Sequence, residues 1–122
     1  MVFHGIIIEE SLEDKSILKD LKILKTKVEK VTSEHRTPWL SKWTIHTIEI
    51  GDKSAMKIAG KISAALSKKH PWYCDYKDDE YHFIIFSKHL FCVKKENTYE
   101  YEDVKKYGRK LGIPEHQLDF DK

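Results

Sequence analysis

Histidine is the side chain best suited to move a proton near neutral pH or to ligate a metal through an imidazole nitrogen, and the chain carries seven of them. Three fall in segments that read as strands. His4 lies on the Ile6/Ile8 side of the first, His46 shares a face with Ile48 and Ile50, and His82 alternates with Phe83. No pair stands at HxH or HxxxH spacing, and no acidic residue completes a metal motif, so no metal or other cofactor is expected. Scattered histidines of this kind are usually surface groups or structurally satisfied ones. A chemical role would require the fold to bring His46 or His82 against a tyrosine or a carboxylate, where either ring could serve as acid or base.

A second set is Trp72, Tyr73, Tyr76 and Tyr81 beside Cys74 and Asp75. On a strand, Trp72, Cys74 and Tyr76 share one face while Tyr73 and Asp75 share the other. A sheet face lined by aromatic rings and a carboxylate can close over a small ligand. The same rings serve equally well as packing under helices and as cross-strand pairs. The ligand-binding candidates are therefore His46, His82, Tyr73, Asp75, Tyr76 and Tyr81. Cys74 has no base that the sequence can assign to it as a nucleophile.

The third set is a row of lysines, Lys53, Lys57, Lys61 and Lys68, followed by Lys69 and His70. It could meet phosphates, and antiparallel sheets of this size do bind RNA through aromatic residues. The Lys/Arg-Gly-Phe/Tyr run typical of such sheets is missing, and a lysine row opposite a buried stripe reads as a solvated face. Gly-rich phosphate loops and Ser-His-Asp constellations are absent from the sequence.

The totals agree with this reticence. The 122 residues suffice for one domain with one core, and 40% hydrophobic against 34% charged residues argues against disorder. With 22 basic and 20 acidic side chains the net charge is +2, too small a field to attract nucleic acid or an anionic membrane by itself. The two cysteines, Cys74 and Cys92, are too few for a disulfide framework and lack zinc-site spacing. No secretory leader pattern opens the chain, and its apolar runs fall far short of the ~20 residues that cross a bilayer. A cytoplasmic protein with reduced thiols and no membrane partner is expected.

The elements that must position these residues follow from periodicity and punctuation. Val2–Glu9 reads as a buried strand, and Ser11 as the N-cap of a short helix over Leu12–Asp20. Ile17, Leu21, Leu24, Val28 and Val31 keep helical spacing, whereas the β-branched Thr26, Val28, Val31 and Thr32 suit a strand. Topology favours the strand, since a hairpin of Lys22–Thr32 with Lys42–Ile50 completes a known pattern. Gly51-Asp52 then leads into a helix over Lys53–Lys69, stopped by His70-Pro71. Strands at Trp72–Lys77, Tyr81–Ser87 and Leu90–Lys95 follow, then a helix from Asn97 or Thr98 to Leu111 with Gly112 after it. The order is β-α-β-β-α-β followed by a hairpin and a helix. The first six elements match a ferredoxin-like α+β domain, an antiparallel sheet with its helices on one face.

Several stretches carry a resemblance: Ile6-Ile7-Ile8-Glu9-Glu10-Ser11-Leu12, the strand around Trp43, Tyr107-Gly108-Arg109-Lys110-Leu111-Gly112-Ile113-Pro114, and Gln117-Leu118-Asp119-Phe120. In them the chain resembles a family of small hypothetical proteins of archaea and bacteria. The resemblance spans most of the chain and implies one α+β domain. It brings no catalytic residue.

Good fold signals without a catalytic signature favour a non-enzymatic module that binds a small molecule or a protein, with a homodimer formed through a sheet face or edge as one such interaction. The alternatives are a small enzyme using His46 or His82 with a tyrosine or carboxylate, and RNA binding through the lysine row.

Overall fold

A computed structural model describes residues 2–120 of the chain. Six antiparallel strands form one sheet: β1 (Val2–Ile8), β2 (Lys22–Lys30), β3 (Lys42–Gly51), β4 (Tyr73–Lys77), β5 (Tyr81–Phe86) and β6 (His89–Lys94), in the order β2-β3-β1-β4-β5-β6. Two α-helices, α1 (Ala55–Ala65) and α2 (Thr98–Leu111), complete an α+β architecture. The sheet has two strands more than a four-stranded ferredoxin-like sheet.

Alternation along the strands divides the apolar residues between two cores. On one face Phe3, Ile7, Ile48, Ile50, Cys74, Tyr76, Phe83 and Ile85 pack against Ile58, Ala59 and Ile62 of α1. On the other, Ile84, Phe86 and Val93 pack against Tyr101 and Val104 of α2 and against Ile113, Leu118 and Phe120 of the tail. The first crossover and α1 lie on one face of the sheet, as expected of the helices among the first six elements, whereas the appended helix α2 lies on the other. The strand β5 is buried on both sides from His82 to Phe86, so it needs a second cover, and α2 supplies it.

The first crossover is also not the expected α-helix over Leu12–Asp20. It is a 3-10 helix, Lys15–Asp20, preceded by a short 3-10 turn at Glu9–Ser11. Leu12 is extended and bridges Leu66, which removes the first helical turn. Ser11 does not cap; its hydroxyl turns back to the Ile8 carbonyl, and Asp14 caps instead by accepting from the Ser16 N–H at 3.0 Å. The same bridge shortens α1, which stops at Ala65 rather than Lys69. There the Glu13 N–H takes the Ala65 carbonyl at 2.8 Å and the Ser67 N–H donates to Ser11 at 2.8 Å, so the helix end is satisfied from outside.

Lys22–Lys30 is a strand, as the hairpin reading requires, and it forms a free edge exposed along almost its whole length. The α2 boundaries follow the sequence signals. The Asn97 side chain accepts from the N–H groups of Tyr99 and Glu100 at 3.0 and 3.1 Å, and Gly112 closes the helix at φ +91°. Among the described residues no helix is long and apolar enough to cross a membrane.

Candidate functional site

The hairpin of β4 and β5 is set by Asp78, whose carboxylate accepts from the N–H groups of Glu80 and Tyr81 at 2.8 and 2.7 Å. That turn pairs Lys77 with His82 and Asp75 with Ile84. Asp75 and His82 are thus diagonal neighbours on the α2 face of the sheet. His82 Nε2 lies 2.7 Å from Asp75 Oδ2, and Nδ1 lies 2.8 Å from the hydroxyl of Tyr101 on α2. With both nitrogens engaged, each proton finds an acceptor when Nε2–H donates to Asp75 and Nδ1 accepts from Tyr101, an assignment made from the network.

His82 is fully buried, whereas the Asp75 side chain keeps 30% of its surface. That remaining surface opens into a cavity of about 210 Å3 lined by Ile6, Ile8, Trp43, Pro71, Trp72, Tyr73, Asp75, Ile113 and Gln117. Asp75 is the one acidic or basic side chain in this lining. Ile6 and Ile8 project from β1 on the same side as Trp43 of β3 and Asp75 of β4, a consequence of the pairings Ile8 with Ile45 and Ile6 with Asp75. Trp72 lies just before β4 and meets Trp43 with ring centroids 5.5 Å apart.

The tail after α2 closes the cavity on its far side. The Tyr73 hydroxyl donates to the Gln117 carbonyl at 2.6 Å. Gln117 Nε2 donates to the carbonyls of Glu34 and His35 at 3.4 and 3.2 Å, tying the tail to the β2–β3 connection. His35 in turn packs edge-on to Trp43 at 4.4 Å. Burial pushes the Tyr73 hydroxyl well above its usual range, with the charges of Asp75 and Asp119 and the Cys74 thiol adding to it. It therefore stays a protonated donor at neutral pH and well above it.

The other expected site residues fall elsewhere. Tyr76 points to the α1 face and its hydroxyl donates to the Ala55 carbonyl, so it anchors the start of that helix. Tyr81 is exposed at the beginning of β5, on the same side as Tyr76. His46 also faces α1's side of the sheet, where Nε2 lies 2.9 Å from Glu9 and Nδ1 lies 2.8 Å from the Thr26 hydroxyl. In its arrangement His46 parallels His82. Next to it, burial pushes the Glu10 carboxyl up, but the Thr44 N–H and hydroxyl at 2.6 and 2.7 Å outweigh this and hold it below the ordinary range. Cys74 donates to the Ile6 carbonyl at 3.3 Å, and burial, with Asp75 second, raises its thiol far above a reactive range. Cys92 is exposed and both thiols are free.

Among the described residues no group of three or more His, Cys, Asp or Glu side chains is placed to hold a metal ion. Lys53, Lys57, Lys61 and Lys68 are exposed, and Lys61 pairs with Asp20 at 3.4 Å. The aromatic residues that a sheet would offer to RNA are mostly buried under α1 and α2.

Of the sequence candidates, the fold brings together Tyr73, Asp75 and His82. Sequence reasoning did not identify Trp43, Gln117 or Tyr101 as their neighbours. The hairpin turn was a usable signal for the Asp75–His82 pairing, because it fixes the register. Nothing local signals Tyr101, which comes to His82 from a helix 19 residues on. Comparisons of the chain with protein-family models, curated proteins and solved structures give no match.

Proposed function

We propose that the protein is a non-enzymatic small-molecule-binding module, and that its ligand is a small organic cation held in the Asp75 cavity. One observation carries this reading: a single carboxylate, fixed from behind by His82, which Tyr101 holds in turn, stands in a cavity otherwise walled by Trp43, Trp72, Tyr73, Gln117 and aliphatic side chains. A carboxylate supplies the counter-charge for an ammonium group, and ring faces attract a cation through their quadrupoles. The volume of about 210 Å3 lies below the ~300–1,000 Å3 typical of sites for drug-sized ligands. The ligand is therefore small, or enters with one end only.

A matched series tests the charge preference. Benzylamine, benzyl alcohol and benzoate differ mainly in the charge of the polar end. Thermal-shift and titration measurements are expected to rank the amine first, the alcohol second and benzoate last. Benzoate binding best, or none of the three binding saturably, would contradict the reading.

The Tyr101–His82–Asp75 chain supports a second reading, in which Asp75 accepts a proton from a bound substrate while His82 holds the carboxylate in place. It ranks below the first because His82 does not reach the cavity and no nucleophile or oxyanion donor set converges there. A homodimer through a sheet edge also ranks lower. Two β2 strands paired antiparallel about Thr26 would set Lys25 against Lys27 and Lys22 against Lys30, and like charges directly opposite are destabilising. For the fold, the order β2-β3-β1-β4, with the first crossover and α1 on one face, supports the ferredoxin-like reading of the first six elements. Membership of the small archaeal and bacterial family is likewise a proposal resting on the stretches quoted above.

A further inference from the structure

The turn between β5 and β6 carries two features that packing does not explain. Lys88 has φ +67°, a left-handed conformation that glycine or asparagine adopts at least cost, yet the residue there is a lysine. Ser87 Oγ is a buried side-chain oxygen without a hydrogen-bond partner, the one such atom among the described residues.

Both residues line a groove of about 350 Å3 between this turn, the segment after α1 and the last turns of α2. Lys68, Lys69 and His70 contribute cationic or protonatable groups to its wall, Trp72 and Tyr107 contribute rings, and no Asp or Glu lines it. Lys68, Lys69 and Lys88 have no ion-pair partner among the described residues. The nearby Glu13 carboxylate is engaged by the backbone N–H of Lys68 at 2.7 Å and forms no ion pair with its ammonium. The His70 ring stacks on Trp39 at 3.6 Å, which holds that side of the wall.

Lysines just after a helix can serve merely to offset the helix dipole, and Lys68 and Lys69 alone would carry no more than that. Lys88 belongs to a hairpin turn and to neither helix, and it is conformationally disfavoured there. A disfavoured cation and two further lysines around a groove that no acidic side chain lines converge on one ligand chemistry. We propose that this groove binds an organic phosphate. The phosphate group sits between Lys88 and Lys68, and its organic body lies against Trp72 and Tyr107. The site is separate from the Asp75 cavity, with which it shares only Pro71 and Trp72 in its lining.

Isothermal titration with phenyl phosphate tests this, with phenol and inorganic phosphate as partial ligands and Lys88→Gly as the main variant. The expected result is saturable one-to-one binding that weakens with salt, tighter for phenyl phosphate than for either part alone. Affinity should fall about tenfold in Lys88→Gly, as for loss of one charge-assisted hydrogen bond. Because glycine suits the left-handed turn, that variant should melt no lower than the wild type. Asp75→Asn should bind phenyl phosphate normally, which separates this site from the cavity. Absence of saturable binding at low salt, phenol binding as tightly as phenyl phosphate, or undiminished affinity in Lys88→Gly would each overturn the proposal.

Discussion

Replacing Gly5 with alanine is expected to destabilise the protein by about 3 kcal/mol or more, enough to unfold a marginally stable domain. Gly5 lies in the middle of β1, opposite Tyr76 of β4. A Cβ at this position would stand 1.9 Å from the Asp75 carbonyl oxygen and 2.5 Å from the Tyr76 Cα, and both are backbone atoms of a paired strand that cannot turn aside. The close approach has a cause. The Tyr76 Cα and Cβ occupy the space over Gly5, while the Tyr76 hydroxyl reaches Ala55 and the ring lies among Phe3 and Phe83, with centroids 5.8 and 5.2 Å away. Urea unfolding monitored by tryptophan fluorescence checks the prediction, and a loss below ~1 kcal/mol would show that β1 and β4 can separate freely. The contrast is Gly108, where an added Cβ would meet the Leu118 Cδ2 at 2.6 Å, the far end of a side chain that can rotate.

His82→Leu should cost about 2–3 kcal/mol, although leucine fills most of the space of the buried ring. The loss comes from polarity rather than volume: Asp75 and Tyr101 each lose the imidazole that joins them. Replacing both ends of a buried hydrogen bond by apolar groups costs less than replacing one. The double variant His82→Leu/Tyr101→Phe is accordingly expected to lose clearly less than the sum of the two single losses. Strict additivity in a double-mutant cycle would show that the His82–Tyr101 contact contributes no coupling.

Much of the architecture could be read from local chemistry. The cap at Asn97, the stop at Gly112 and the Asp78 turn are each single-residue signals whose partners lie within a few positions. What could not be read depends on distant pairing. The segment after Ser11 has helical spacing, but Leu12 is drawn into a bridge with Leu66, and the Ala65 carbonyl is claimed by Glu13, so one contact shortens two expected helices. The strand Lys22–Lys30 carries both helical and strand signals, and its pairing with β3 decides between them. The candidate site divides in the same way. Tyr73 and Asp75 share a face by alternation alone, and the turn register adds His82. Trp43, Gln117 and Tyr101 arrive from elements whose neighbours only the folded sheet defines. The carboxylate partners of the histidines escaped for the same reason: Glu9 with His46 and Glu49 with His4 are 37 and 45 residues apart in sequence.

The central claim is that the Asp75 carboxylate anchors a cationic ligand in the aromatic cavity. Titration of benzylamine into the wild type and into Asp75→Asn, at neutral pH and moderate salt, tests it most directly. Asparagine keeps the shape of the side chain and removes its charge, so the cavity remains. Saturable binding to the wild type is expected, with affinity at least about tenfold weaker in Asp75→Asn, the scale of one charged hydrogen bond. Equal affinity for the two proteins would contradict it.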